Sequence, residues 1–220
     1  MVGRVIAKAR FATLLLRIAG PTILLVQLKR QIYSRGVFLG LEKDLRTDGY
    51  HVTSGVDYRL GVASPEDIQE VFENAKRESR ESAIELIQRI WFYDAGFHNC
   101  YVARTADSNE LCYMQWMLSC ADSDLIVSSF DGKFPRLGDD EVLLENAYTF
   151  EKFRGKRVMP AVELELADIA RQKGFKRMIT YVREDNIASL KGCERAGFKV
   201  FERVLEGKLL FFGGRKHPKN

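Results

Sequence analysis

The chain has 220 residues, 46% of them hydrophobic, enough to bury one good core and one catalytic-type domain. Its formal charge of +4 is uneven: residues 1–40 hold seven basic side chains and no acidic one, leaving 27 basic against 30 acidic beyond them, a net of −3. That balance excludes a basic nucleic-acid-binding domain, and four cysteines without a Cys-x-x-Cys pair, beside three histidines at no ligand spacing, exclude a zinc-type metal cluster.

Residues 11–26 are apolar, but Arg17 and Gly20-Pro21 interrupt them, which is too short for a spanning helix and lacks a signal-cleavage site. The pattern predicts two amphipathic helices in a basic extension, residues 1–40. Two readings stand: residues 1–36 touch an anionic membrane surface, where each basic side chain gains about 1 kcal/mol, or the helices pack on their own domain or on a second subunit of a homodimer. Residues 37–41 read as a short strand, 44–58 as a polar linker or edge hairpin, and 58–62 as an alternating strand. Ser64-Pro65-Glu66-Asp67 then starts a helix, with a serine cap, proline in the first turn and an acid three residues on. Ile68, Val71 and Phe72 give that helix an apolar face, residues 77–82 are a charged break or continuation, and Ile84, Ile87, Ile90 and Trp91 give a second face up to Gly96. Residues 98–106 and 111–119 form a hairpin around Asp107-Ser108-Asn109-Glu110. Residues 121–140 read as a weak strand with a substrate-covering loop.

The most informative stretch follows. Residues 142–148 are a buried strand climbing to a basic turn, Phe153-Arg154-Gly155-Lys156-Arg157-Val158-Met159. The turn opens a helix whose Val158, Val162, Leu166 and Ile169 recur at helical spacing, with Glu163, Glu165 and Asp168 read as its outer side. Pro160 sits in the first turn, where its missing N–H breaks no bond, and Gly174 ends the helix. A helix N-terminus has unsatisfied N–H donors and a partial positive charge, so with Arg154, Lys156 and Arg157 this is the best anion site in the sequence. A strand over 177–182, a helix from an Asp185-Asn186 cap to Arg195, a left-handed Gly197 and a strand from Phe198 complete the segment.

Strand, Arg154-x-x-Arg157-x-Met159, helix, strand, Asn186 turn, helix, Gly197-Phe198 resembles the acyl-CoA-binding half of the GNAT acyltransferases, over about 60 residues by motif and 58–212 by element order. The resemblance implies an α/β (α+β) fold with a mixed, mostly antiparallel twisted sheet flanked by helices, here a domain over 41–220 behind the N-terminal helical extension. Arg157 and Met159 depart from it, standing where the family has small residues. A left-handed backbone at Arg157 costs roughly 1–2 kcal/mol, which a charge-assisted bond to phosphate, about 1.5–3 kcal/mol, offsets.

GNAT enzymes move an acyl group from a thioester to an amine, which requires a neutral amine, a stabilised oxyanion and a proton for the departing thiolate. The resemblance implies acetyl-CoA or another acyl-CoA as donor, held by Tyr148 and Thr149 through their main chain, by Arg154, Gly155, Lys156, Arg157, Val158 and Met159 at the pyrophosphate, and by Asn186 at the coenzyme arm. Glu141 and Glu145 are candidate bases, each equally readable as a glutamate facing solvent or an arginine. Cys193 stands at the place of the family's acid, a tyrosine, and reads otherwise as a small core residue, as Asn186 reads otherwise as a plain helix cap. No metal is implied. The expected partner is a small-molecule or lipid-linked amine acceptor, in the cytoplasm or at the inner face of the membrane. Two rivals remain: an acyl-carrier-protein donor, and a membrane-associated coenzyme-binding sensor without turnover.

Overall fold

The structure, a computed structural model, describes residues 10, 11, 13, 14, 16, 33–47, 49–130, 134, 136–209 and 212–216. Its elements are β1 (Tyr33–Asp44), β2 (Tyr58–Val62), α1 (Pro65–Ala75), α2 (Arg80–Asp94), β3 (Cys100–Thr105), β4 (Leu111–Leu118), α3 (Ser123–Phe130), β5 (Glu141–Thr149), α4 (Val158–Gln172), β6 (Arg177–Arg183), α5 (Ile187–Arg195), β7 (Lys199–Leu209) and β8 (Phe212–Lys216). The strands form one sheet in the order β2-β3-β4-β5-β6-β1-β7-β8. Among the described strands only β5 and β6 run parallel, joined by the α4 crossover, so the sheet is mixed and mostly antiparallel, as expected.

Local chemistry accounts for the helix starts. Ser64 accepts from the Asp67 N–H while the Asp67 carboxylate accepts from the Ser64 N–H, a reciprocal cap on α1, and Ser79 caps α2 through the Ser82 N–H. Residues 76–79 are therefore a break between two helices. α3 replaces the weak strand expected near residues 121–140: the Asp122 carboxylate accepts from the Ser119 N–H, starting a helical turn that α3 continues, and Ile126 is buried there.

The first strand changes the expected domain boundary. β1 extends past residues 37–41 and lies inside the sheet, antiparallel to β6 on one side and to β7 on the other, so the extension and the domain are not separate at residue 40. Gly40 makes this possible, because a Cβ there would stand 2.6 Å from the Glu202 side chain. Ahead of β1, Arg10 pairs with Asp94 at 3.0 Å, Phe11 packs on Trp91 at 6.1 Å and Leu14 is buried. The described part of the extension thus docks on α2. The expected break at Gly20-Pro21 lies outside the described residues, and no described helix is long and apolar enough to cross a membrane.

The core lies where α2 meets β4. Phe92 stacks on Phe97 at 4.1 Å and meets Trp116 edge-on at 5.1 Å, and the Trp116 Nε1–H donates to the Phe97 carbonyl at 2.8 Å. This anchors α2 against the strand beside β5, which sets the position of the site.

Candidate functional site

The site begins as a fault in the sheet. β5 and β6 pair in parallel from Glu141↔Arg177 to Leu144↔Thr180, and the ladder then ends although both strands continue. Across β5, Trp116 faces Glu145 and Met114 faces Tyr148, so Gln115 alone opposes Asn146 and Ala147. That is a bulge, and Asn146 occupies the left-handed region at φ 55°. Arg89 of α2 holds it, donating from Nε to the Asn146 carbonyl at 3.0 Å and from a terminal nitrogen to the Ala147 carbonyl at 2.6 Å.

The divergence opens a cavity of about 640 Å³. One wall is β5 from Asn146 to Thr149, another the turn into α4 with Arg154, Gly155, Arg157, Val158 and Met159, a third the start of α5 with Asn186 and Gly192, and the last is Glu85, Gln88 and Arg89 of α2. Arg157 is the residue before α4, at φ 59° and ψ 25°, and no side chain caps that helix. Its N-terminal amides, aided by the helix dipole, suit the fit of a diphosphate against the basic turn. On the Arg154 side, the Glu151 carboxylate accepts from the Ser79 and Ser82 hydroxyls at 2.5 and 2.6 Å, which hold it below the usual carboxylate range. Arg154 donates to the Thr149 carbonyl at 3.1 Å and to the Ser82 hydroxyl at 3.0 Å.

Of the residues expected to meet the donor, Tyr148, Thr149, Arg154, Gly155, Arg157, Val158, Met159 and Asn186 are brought to this cavity. Lys156 is not: its carbonyl accepts from the Gly55 N–H at 2.7 Å, and its side chain lines a neighbouring hollow with Lys152 and Glu110. Asn186 also caps α5, accepting from the Ser189 N–H at 3.2 Å, so the cap reading and the wall position coexist. Met159 fits because Gly192 faces it, a Cβ on that glycine standing 3.2 Å from the thioether sulfur.

The three proposed acid–base residues are placed elsewhere. Glu141 accepts from Arg177 and from the Gly138 N–H at 2.9 Å, at the paired end of β5, about 17 Å from the bulge by strand rise. Glu145 precedes the bulge opposite Trp116 and acts on the charge of Arg89 without lining the cavity. Cys193 is buried between helices with its Sγ 3.8 Å from Glu163 Oε1, and burial, then the Glu163 charge, push the thiol far up. It is the core residue of the two readings, because α5 turns Gly192 toward the cavity instead.

Glu163 itself corrects an expectation: it is 1% exposed, not outward, because α4 is covered both by β4 and β5 and by α5. Its Oε2 has no hydrogen-bond partner, and burial pushes its carboxyl up to about 8. Sequence reading also missed Glu85, Arg89 and Tyr113 of the cavity wall. A signal existed for Arg89: with Ser82 and Leu86 it falls on one helical face, a position where the buried stripe calls for an apolar residue.

No family model matches the sequence, and no curated protein does. Among the solved structures that resemble the chain is the GCN5-related glucosamine N-acetyltransferase region of a fungal multi-domain GH3 β-N-acetylglucosaminidase, with TM-score 0.58, 16% identity, and coverage of 84% of this chain and 22% of that one. Others are a GNAT-family acetyltransferase from Colwellia psychrerythraea (TM-score 0.51, 13% identity, 80% and 57%) and a tandem GNAT protein from the clavulanic acid biosynthesis pathway (0.51, 15%, 84% and 55%). The chain spans 22% to 57% of the lengths of these proteins. At such identities the likeness is one of architecture, and together with the splayed strands and the uncapped helix it establishes that the chain has the GNAT acetyltransferase fold.

Proposed function

We propose that the chain transfers an acetyl or longer acyl group from acyl-CoA to an amine by direct attack. The observation that carries this is the uncapped N-terminus of α4 opening, beside Arg154 and Arg157, onto the cavity that the parting of β5 and β6 creates. The donor's pyrophosphate takes the α4 amides, and its arm runs along Tyr148 and Thr149 toward the bulge. At that end Glu85 is the carboxylate on the wall, its side chain about half exposed, and it takes the amine proton in place of Glu141 and Glu145. The cavity's α2 wall, with Glu85 and Gln88, is the face that receives the acceptor.

Calorimetric titration with acetyl-CoA, followed by a thiol-release assay over an amine panel, tests this. Binding with turnover supports it. Binding without turnover on any amine favours a coenzyme sensor, and activity only with an acylated carrier protein favours the carrier-dependent transferase.

A further inference from the structure

Five basic residues line the cavity, Arg89, Arg154, Arg157, Lys191 and Arg195, against one acidic residue, Glu85. Arg154 and Arg157 precede α4, and Lys191 and Arg195 lie on α5, whereas Arg89 stands on α2, the wall assigned to the acceptor. Arg89 is 8% exposed, and a guanidinium so far out of water ordinarily meets a carboxylate, since an unpaired buried cation is costly. Instead it donates to three main-chain carbonyls: those of Asn146 and Ala147 in the bulge and, at 2.7 Å, that of Glu85 in its own helix. The Glu85 carboxylate stays 3.8 Å off, beyond hydrogen-bond distance. A guanidinium has five N–H donors, so one on each terminal nitrogen has no partner among the described residues. A neutral donor would satisfy the carbonyls, so tying down the bulge does not by itself call for a charge.

We infer that the acceptor is a free α-amino acid, whose carboxylate pairs with Arg89 while its amine meets Glu85. This rests on the acyl-transfer reading above and names the acceptor class within it. Glu85 and Arg89 are one helical turn apart, so their side chains are neighbours on α2. An amino acid carries its two charges one carbon apart, and laid across the pair in the opposite order it gives each charge its counterpart. The two N–H groups left on Arg89, one per terminal nitrogen, suit the two oxygens of a carboxylate. The Tyr148 ring, centred 4.8 Å from the guanidinium carbon, and the three carbonyls fix that fork before the ligand arrives. Acylation joins the neutral amino nitrogen to the acyl carbon as the carbon–sulfur bond breaks, the nitrogen's proton passing to Glu85 and the coenzyme leaving as thiolate. A plain amine or a polyamine brings no anion to Arg89, and a polyamine adds positive charge to walls that are already basic, which disfavours both.

The test uses the full chain and a thiol-release assay with acetyl-CoA over matched sets: each common amino acid, its amide, and the amine that lacks the carboxylate. The expected wild-type result is a kcat/KM for a free amino acid about 100-fold above those of its amide and its plain amine. In Arg89→Met that ratio is expected to fall to about threefold or less, and in Arg89→Lys, which keeps the charge, to about tenfold. A disturbed bulge lowers all members of a set alike and leaves their ratio, so an unchanged ratio in both variants overturns the inference. Should Arg89→Met fail to fold, the wild-type panel and Arg89→Lys decide. Amides or plain amines used as well as free amino acids also overturn it. So does a wild-type preference for succinyl-CoA over acetyl-CoA with plain amines, which puts the carboxylate on the donor. Wild-type protein that acylates no amine overturns the acyl-transfer reading instead, and the inference falls with it.

Discussion

The thioether of Met159 on α4 and the bare Cα of Gly192 on α5 are a matched pair: a Cβ on Gly192 would meet the sulfur at 3.2 Å. A glycine inside a helix costs up to about 1 kcal/mol relative to alanine, and here it makes room for a long side chain on the wall of the cavity. Gly192→Ala is therefore expected to destabilise the wild type and to stabilise the Met159→Ala protein. Denaturation of the four proteins of that cycle gives a coupling of about 1 kcal/mol, and additive effects would show that the two residues do not share the space.

Arg154 reaches the cavity and Glu141 does not. Arg154→Ala is expected to weaken acetyl-CoA binding about tenfold, the loss of one charge-assisted hydrogen bond, while Glu141→Ala leaves the affinity within twofold and lowers stability by removing one of the two carboxylates that pair with Arg177, the other being Glu42. Calorimetry of both variants decides, and the reverse order would place the phosphate turn elsewhere.

At Arg157 the backbone sits at φ 59°, a strain of roughly 1–2 kcal/mol that glycine does not carry. Arg157→Gly should raise the denaturation midpoint and at the same time weaken acetyl-CoA binding about tenfold. A variant that gains stability with affinity intact would remove the Arg157 guanidinium from the site.

The carboxyl of Glu163 titrates at about 8 in the folded protein against 4.5 as an ordinary value, with burial the chief cause. Because the folded state holds the proton more tightly, the stabilising contribution is complete below about pH 4.5 and is lost as pH rises toward 8. Glu163→Gln keeps the shape without the proton, so its stability should fall less across that window, with a difference on the order of a few kcal/mol near pH 8. Urea melts at pH 5 and pH 8 measure it, and equal slopes for the two proteins would mean that Glu163 is not held neutral.

Most elements were legible because their signals are local. Ser64-Pro65 with Asp67 starts α1, Asn186 caps α5, and Gly174 and Gly197 stand at positive φ after their helices, each fixed by chemistry within a few residues. The basic turn into α4 was legible for the same reason, since a helix start and its basic residues are contiguous in the chain. The α3 helix was not, because residues 125–127 are three apolar side chains in a row and only the Asp122 turn ahead of them selects a helix.

The sequence by itself determined the strand-turn-helix at residues 142–172, through short-range periodicity and helix-end chemistry. Tertiary structure alone decided which acidic and basic groups face the cavity. Placing β1 between β6 and β7, seating Arg89 on the Asn146 bulge, and turning Glu141 to Arg177 and Cys193 to Glu163 all depend on contacts between residues some 30 to 170 positions apart. A side chain's spacing along one strand or helix says which face it takes, and the partner waiting on that face is set by the packing of the whole sheet.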